Sequence, residues 1–482
     1  MTNTTIQFIK NIVIYSVGAL GSKLIAFFLL PLYTHTLPRK DFGFIELINT
    51  TLMVAIPIIG FQLSESAFRY LLDSKDLDDK KKIISNSFFI VITSCVVFGI
   101  LYKIASLFTN ITELFQNKGN LIMLLIFTTL WVGILKQIAR GLEENIVFAF
   151  ADIILTVSIG GLSYYFLYIK NWGLSGYFLS IILSNTFVIL IIIIFCRLWR
   201  FIRISSISKS QTYLMLLYSI PFIPNIIAGW FMNASDRYFI AHYAGLNYVG
   251  LYSVAFKYST ILTILSGIII LAWQSYAVTN YHSRNANNSF SRIFELYLFS
   301  LTLIFMVLII IEKPLLKIMV SEEYINSWRY IPLLLGSSYA LAMSSFFAVA
   351  YIVVKKTKNL FYSSILTGAT NVILNLIFIP ECGAIAAAYS TLFSTIILWI
   401  IRMIDTKKYF NIYINYKSII LNIIIIISIV FLELWKLEAW IDFIIKTVFI
   451  FIFLFFNKFV IKRLLDYCLY LVKIKITKVS NT

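Results

Sequence analysis

Charge is scarce in this chain. Of its 482 residues only 13% are Asp, Glu, Lys or Arg, while 60% are apolar; a soluble domain carries about 25% charged residues. Cysteine is rare as well. Cys95, Cys196, Cys382 and Cys468 show no CxxC spacing and have no histidine neighbours, which argues against a metal site and against a disulfide framework. Long polar segments are missing, the longest running only from Glu65 to Lys82, so no soluble catalytic domain fits between the apolar stretches. A GxGxxG, a Walker lysine motif, an HExxH and a Ser/His/Asp grouping are all absent. The expectation is a protein that is not an enzyme and needs no cofactor or metal. Strands of about 10 alternating residues, the mark of a transmembrane barrel, are absent too. No cleavable signal is evident, because the first apolar run, from near Asn11, is too long for the apolar core of a signal peptide.

What fills the chain is apolar runs of helix-spanning length. A bilayer core is about 30 Å thick and takes about 20 apolar residues in a helix; backbone polar groups without water must bond within the segment. Fourteen such runs lie near 11–33, 41–64, 83–107, 119–140, 147–169, 174–196, 212–235, 244–272, 293–312, 328–353, 360–379, 382–402, 417–434 and 440–461. The expected fold class is therefore all-α, a polytopic membrane protein of about 14 helices. The net charge of +18 does not point to nucleic acid, because its excess falls in loops on one side. With fourteen spans, 27 Lys and Arg lie on the side of the termini and 9 on the other. The positive-inside rule then puts both termini in the cytoplasm of a multi-pass inner-membrane protein.

A faint repeat is visible at a shift of 207 residues, which brings His35 onto His242 and Gly43 onto Gly250. Six spans separate the two copies, an even number, so the copies share one orientation and imply a pseudo-two-fold axis along the membrane normal. The expected division is a six-helix bundle over 1–205, a second over 206–410, and two extra helices with a basic tail over 411–482.

Charges inside the apolar runs are the candidate site residues, because a lysine at a helix centre costs about 2.5–3.5 kcal/mol on insertion scales. Lys23 sits mid-way through the first run, and Lys257 about a dozen residues into the eighth. Each reads either as a cation facing a wet cavity or as interhelical glue paired with a carboxylate; the cavity reading is preferred. Asp236-Arg237 follows a run broken by Pro221 and Pro224, and reads equally as a site or as a local capping pair. Lys136 and Arg140, four apart, share one face of the fourth helix; Arg140 reads as a site residue or as a phosphate-facing anchor. Asp152 in the fifth run and Glu46 in the second read as counter-ions or proton carriers.

The stretch Pro224-Asn225 through Ser235-Asp236-Arg237-Tyr238-Phe239-Ile240 to Val249-Gly250-Leu251-Tyr252 and Lys257, with Leu30-Pro31-Leu32-Tyr33-Thr34-His35-Thr36-Leu37-Pro38 and Phe42-Gly43 near the start, resembles the bacterial polysaccharide exporters, the Wzx-type O-antigen flippases. That resemblance implies two six-helix bundles around a cationic cavity. It implies movement of an undecaprenyl-diphosphate-linked oligosaccharide, with Lys23, Lys257, Arg237 and Arg140 meeting the substrate and Asp152, Glu46 and Asp236 as coupling or counter-ion groups. It also implies a polysaccharide polymerase and a chain-length regulator as partners, beside membrane lipids. Fourteen spans exceed the twelve of many O-unit flippases, which keeps a lipid II-like or teichoic-acid lipid flippase open. A cation-coupled multidrug exporter would want an acidic cavity, and a glycosyltransferase or polymerase would want large outer loops.

Overall fold

The structure, a computed structural model, describes residues 27–108, 115–410, 412–413, 416–434, 439–458 and 461–462. Lys23 and most of the expected first span lie outside them. Within the described residues the chain is helical and without strands. In chain order the helices are α1 Leu30–Thr36, α2 Arg39–Ile59, α3 Leu63–Asp73, α4 Leu77–Phe108, α5 Gly119–Gly141, α6 Asn145–Ser163, α7 Gly173–Phe195, α8 Lys209–Ser219, α9 Ile223–Asn233, α10 Asp236–Tyr243, α11 Leu246–Asn280, α12 Ala286–Met319, α13 Ile331–Val353, α14 Thr357–Cys382, α15 Ile385–Asp405, α16 Tyr416–Leu434 and α17 Ala439–Phe456. Eleven helical stretches among them are long and apolar enough to cross a membrane, and α16 and α17 hold the shorter apolar runs Ile419–Glu433 and Ile444–Phe456. The expected spans two to twelve each overlap one of the eleven, and the last two overlap the shorter pair.

Two details differ from the sequence reading. The polar stretch from Glu65 to Lys82 is not a loop: it forms most of α3 and the first turns of α4. Apolar residues at helical spacing explain this, since Leu63, Ala67 and Leu71 are buried, with Leu71 against Gly141 of α5. The seventh span is also not one helix. Pro221 and Pro224 lack the N–H that would continue the ladder, so α8 passes through a tight turn at Ile220–Phe222 before α9 begins.

The chain falls into two compact units, one of residues up to Leu251 with Met319–Tyr324, the other of Tyr252–Ile318 with residues from Ile325 on. These units follow packing, whereas the division expected at 206 and 411 follows the repeat.

In the first unit α5, α6 and α7 pack together and α3 lies on α5. Short polar side chains join them where no water is at hand: Ser163 to Ser180 at 2.9 Å, and Asn185 to Thr128 and Thr129 at 3.2 and 3.0 Å. Such bonds between membrane helices average about 0.6 kcal/mol. Asn86 of α4 is fully buried and holds the segment leading into α8, donating to Ser206 O and accepting from Thr212 Oγ1 and Ser208 N. Tyr324 closes the other end, its hydroxyl donating to Leu37 O at 2.8 Å; burial, with Glu323 and Asp41 nearby, pushes its phenol above the usual range.

The two glycines aligned by the repeat meet in this unit. A Cβ on Gly43 would stand 2.0 Å from Leu246 O and 3.0 Å from Gly250 N, and one on Gly250 would stand 2.5 Å from Arg39 O. Only glycine lets the first turns of α2 and α11 approach this closely, the small-residue crossing that membrane helices use. Gly245, at φ +96°, reverses the chain just before α11, a conformation that suits a residue without Cβ.

In the second unit α13 is the central helix, with 89% of its apolar window buried, and it packs on α14, α15 and α16. Trp273 of α11 stacks on Phe346 of α13 at 4.6 Å and donates its indole N–H to Phe346 O. Tyr297 and Thr302 of α12 bond to Ala342 O and the Tyr339 hydroxyl. Phe299 of α12 stacks on Phe453 of α17 at 5.3 Å.

Candidate functional site

The break that Pro221 and Pro224 begin is completed at Ala234–Ser235, where α9 ends and α10 restarts with Asp236 and Arg237. A carboxylate in the first turn suits the positive end of a helix dipole. Both side chains are buried, at 1% and 5% exposure. Burial comes from α2, on which α9 and α10 pack. Trp230 donates its indole N–H to Thr50 O at 2.8 Å, and the Tyr238 hydroxyl shares a 2.5 Å hydrogen bond with Thr51 Oγ1. The Trp230 and Tyr238 rings meet edge to face at 5.5 Å. Glu46 lies one turn before these threonines, is 5% exposed, and its carbonyl accepts from Thr50 Oγ1. Asn49 on the same helix donates to the Tyr177 hydroxyl at 3.1 Å. The structure thus places Glu46, Asp236 and Arg237 on helices in direct contact, all inside the first unit.

A second group forms where α5 meets α6. Lys136 is ion-paired with Asp152, and its ammonium lies 5.4 Å from the Phe148 ring centre. Arg140, one turn on, stacks its guanidinium over Phe68 at 4.2 Å and lies 5.8 Å from Phe148. Lys136 and Arg140 therefore do share a helix face, and that face is aromatic. Asp152 has Lys136 as its cation.

Lys257 lies in the second unit, half-buried in α11, eleven residues from the helix start at Leu246. Among the described residues no three His, Cys, Asp or Glu side chains gather in a way that could hold a metal ion. His35 is exposed, with Nδ1 2.8 Å from Pro31 O.

Two charged groups escaped the sequence reading. Arg402 of α15 is 5% exposed and donates to the hydroxyls of Ser363, Ser344 and Ser364 at 3.1, 3.4 and 3.1 Å. It was counted as a loop residue. Glu433 of α16 bridges Lys446 of α17 and Lys313 of α12, the latter at 2.8 Å, and Glu312 beside Lys313 is fully buried. The signal was present in the sequence, since Glu312, Glu433 and Lys446 all fall within expected spans, the same mark that singled out Lys257.

The fold is shared with known transporters. The lipid II flippase MurJ in an inward closed conformation matches at a TM-score of 0.70 and 15% identity over 94% of this chain and 100% of that one. An inward-facing multidrug resistance MATE family transporter of the MOP superfamily matches at 0.63 and 12% identity, over 83% of this chain and 98% of that one. An outward-facing MATE transporter matches at 0.56 and 16% identity over 83% and 95%. No curated protein sequence matches. The model of a family described as polysaccharide biosynthesis protein matches residues 8–275, more than half of the chain. With its polytopic helical fold and its buried charges, the chain belongs to the polysaccharide biosynthesis protein family.

Proposed function

We propose that this chain is a flippase that carries an undecaprenyl-diphosphate-linked oligosaccharide, an O-antigen or capsular repeat unit, from the cytoplasmic to the outer face of a bacterial inner membrane, with both termini cytoplasmic. The observation that carries the reading is Lys257, a half-buried cation eleven residues into a 35-residue apolar helix, in a chain of a polysaccharide family with a transporter fold. A lysine in that setting is costly, and an anionic head group is a ligand that its charge attracts. A diphosphate must shed water to cross hydrocarbon, and fixed cations offset part of that loss through charge-assisted hydrogen bonds. Lysine suits transient capture, being a point charge on a flexible stem without a bidentate grip. In this reading Lys23 and Lys257, on spans of the two repeat halves, meet the head group. Arg237 and Arg140 supply further positive charge, and Glu46, Asp236 and Asp152 balance it or take up protons. The halves alternate access while the prenyl chain stays in lipid. A polymerase and a chain-length regulator act downstream.

The test is surface glycan in a flippase-deleted strain carrying this chain, Lys23→Ala or Lys257→Ala. The alanine variants are expected to be made at normal levels, since losing a mid-membrane lysine eases insertion by about 2.5–3.5 kcal/mol, and to display much less glycan. Full display with both alanines would remove the cationic site. Loss of protein together with glycan would make the lysines interhelical glue. A lipid II-like head group is the second reading, supported by the fuller match to the lipid II flippase, 94% of this chain against 83% for the drug exporters. Rescue of cell-wall synthesis without rescue of surface glycan would select it.

A further inference from the structure

Four charges lie buried together in the second unit, away from Lys257. Glu433 and Lys446 are 0% and 1% exposed at the side chain and form an ion pair; Lys313 reaches the other Glu433 oxygen at 2.8 Å and is 33% exposed. Glu312 is 0% exposed and close enough for its charge to act on Lys446 and on Tyr258. The described groups come from four helices: Tyr258 on α11, Glu312 and Lys313 on α12, Glu433 on α16 and Lys446 on α17. On α13 the nearest titratable group, Tyr339, bonds to Thr302, almost three turns before Glu312. Arg329, beside α13, shares the Trp328 ring with Lys313, at 5.8 and 5.6 Å.

Charge counting separates the members. Glu433 has two ammonium partners, so these three carry a net positive charge that Glu312 offsets among the described residues. The charge of Glu312 faces that of Lys446 in a buried setting, where an ion without a partner is costly. As a mere fastening the cluster is a poor choice, because apolar residues of similar volume join helices as well or better. Lys313 is one-third exposed at its side chain, whereas Glu433 and Lys446 are sealed.

We infer that Glu312, in its cage of Lys313, Glu433 and Lys446, is a proton-binding site of the transport cycle. A proton adds to one carboxylate oxygen, the acid loses its charge, and the cluster passes from neutral to positive without any other bond changing. The consequence reaches the transport helix by a short route. One turn before Glu312, Leu308 O accepts the Tyr258 hydroxyl at 2.6 Å, and Tyr258 follows Lys257 in α11. Coupling rests on the flippase reading; proton binding does not.

Two readouts on the full chain in liposomes keep them apart. The first is the infrared signal of a protonated carboxyl on a pH step, compared between the unaltered protein, Glu312→Gln, Glu46→Gln and Asp152→Asn. Glu312→Gln is expected to remove part of the signal; an unchanged signal overturns the site. The second is translocation of a lipid-linked oligosaccharide with and without a pH gradient. Glu312→Gln is expected to lose acceleration by the gradient, read as the ratio of the rates with and without it, and retained acceleration overturns coupling through Glu312. The fourfold variant E312L/K313L/E433L/K446M addresses the fastening alternative: folded and still accelerated, it overturns the proposal; folded without acceleration, it supports it. Should it not fold, Glu312→Gln decides. If the unaltered protein translocates nothing under either condition, the flippase reading fails and the infrared signal still judges the proton site.

Discussion

Arg402 and Lys446 are both cations sealed inside the second unit, and they are held in opposite ways. Arg402 donates to three serine hydroxyls on α13 and α14 and makes no ion pair among the described residues. Lys446 is paired with a carboxylate that also serves Lys313. The difference follows from the side chains. Guanidinium spreads its charge over five donors and keeps its proton, so neutral acceptors on neighbouring helices satisfy it. Each of those serines also donates to a backbone carbonyl, of Leu341 or Leu360, and needs nothing more. An ammonium is a compact charge that demands an anion, and bringing one into the membrane creates a group that can exchange protons. The arginine site is a rigid joint; the lysine site carries a variable charge.

The comparison breaks most sharply at Glu433. Glu433→Ala leaves two lysines with their shared carboxylate gone, and losing one partner of a buried pair costs about 3–5 kcal/mol. A large drop in detergent melting temperature and in yield is expected; wild-type melting would show that the cluster contributes little to the fold. Next comes a joint that uses no charge. Gly43→Leu puts a side chain where a Cβ already stands 2.0 Å from Leu246 O, and forced overpacking costs about 1–3 kcal/mol or more. The loss should be independent of pH, unlike any loss at Glu312. Arg402→Met removes the arginine but strands nothing, because the serines keep their carbonyl partners. Melting within about 1.5 kcal/mol of the unaltered protein is expected, and a collapse as large as that of Glu433→Ala would erase the distinction between the two cations. The smallest effect belongs to Asp152→Asn. Its amide oxygen still accepts from the Lys136 ammonium across this part-buried pair, so a change of about 1 kcal/mol is expected.

The spans were legible in the sequence because length and apolarity alone decide them, and α13, buried almost throughout, reads like the lipid-facing helices. The crossing of Gly43 with Gly250 was half visible: the repeat aligned them, but only the fold shows that they touch. The burial of Asp236 and Arg237 was hidden, because hydropathy cannot see α2 packed against α10. The pairing of Asp152 with Lys136 was hidden for a related reason. Position in a run says that a charge is costly but not which helix answers it. Arg402 was misread outright, since the serines that satisfy it are three ordinary polar residues on two other helices. Glu312, Glu433 and Lys446 carried the same mark as Lys257 but were scattered over three runs that nothing in the sequence brings together, with Lys313 one residue past the end of its run.

The central claim is that Lys257, half-buried in α11, serves an anionic lipid head group. It is tested most directly by translocation of a labelled polyprenyl-diphosphate oligosaccharide in liposomes holding the full chain or Lys257→Ala, each checked for equal incorporation and melting temperature. The expected result is translocation by the unaltered protein and a much slower rate for Lys257→Ala at the same stability. Equal rates in the two would contradict the account.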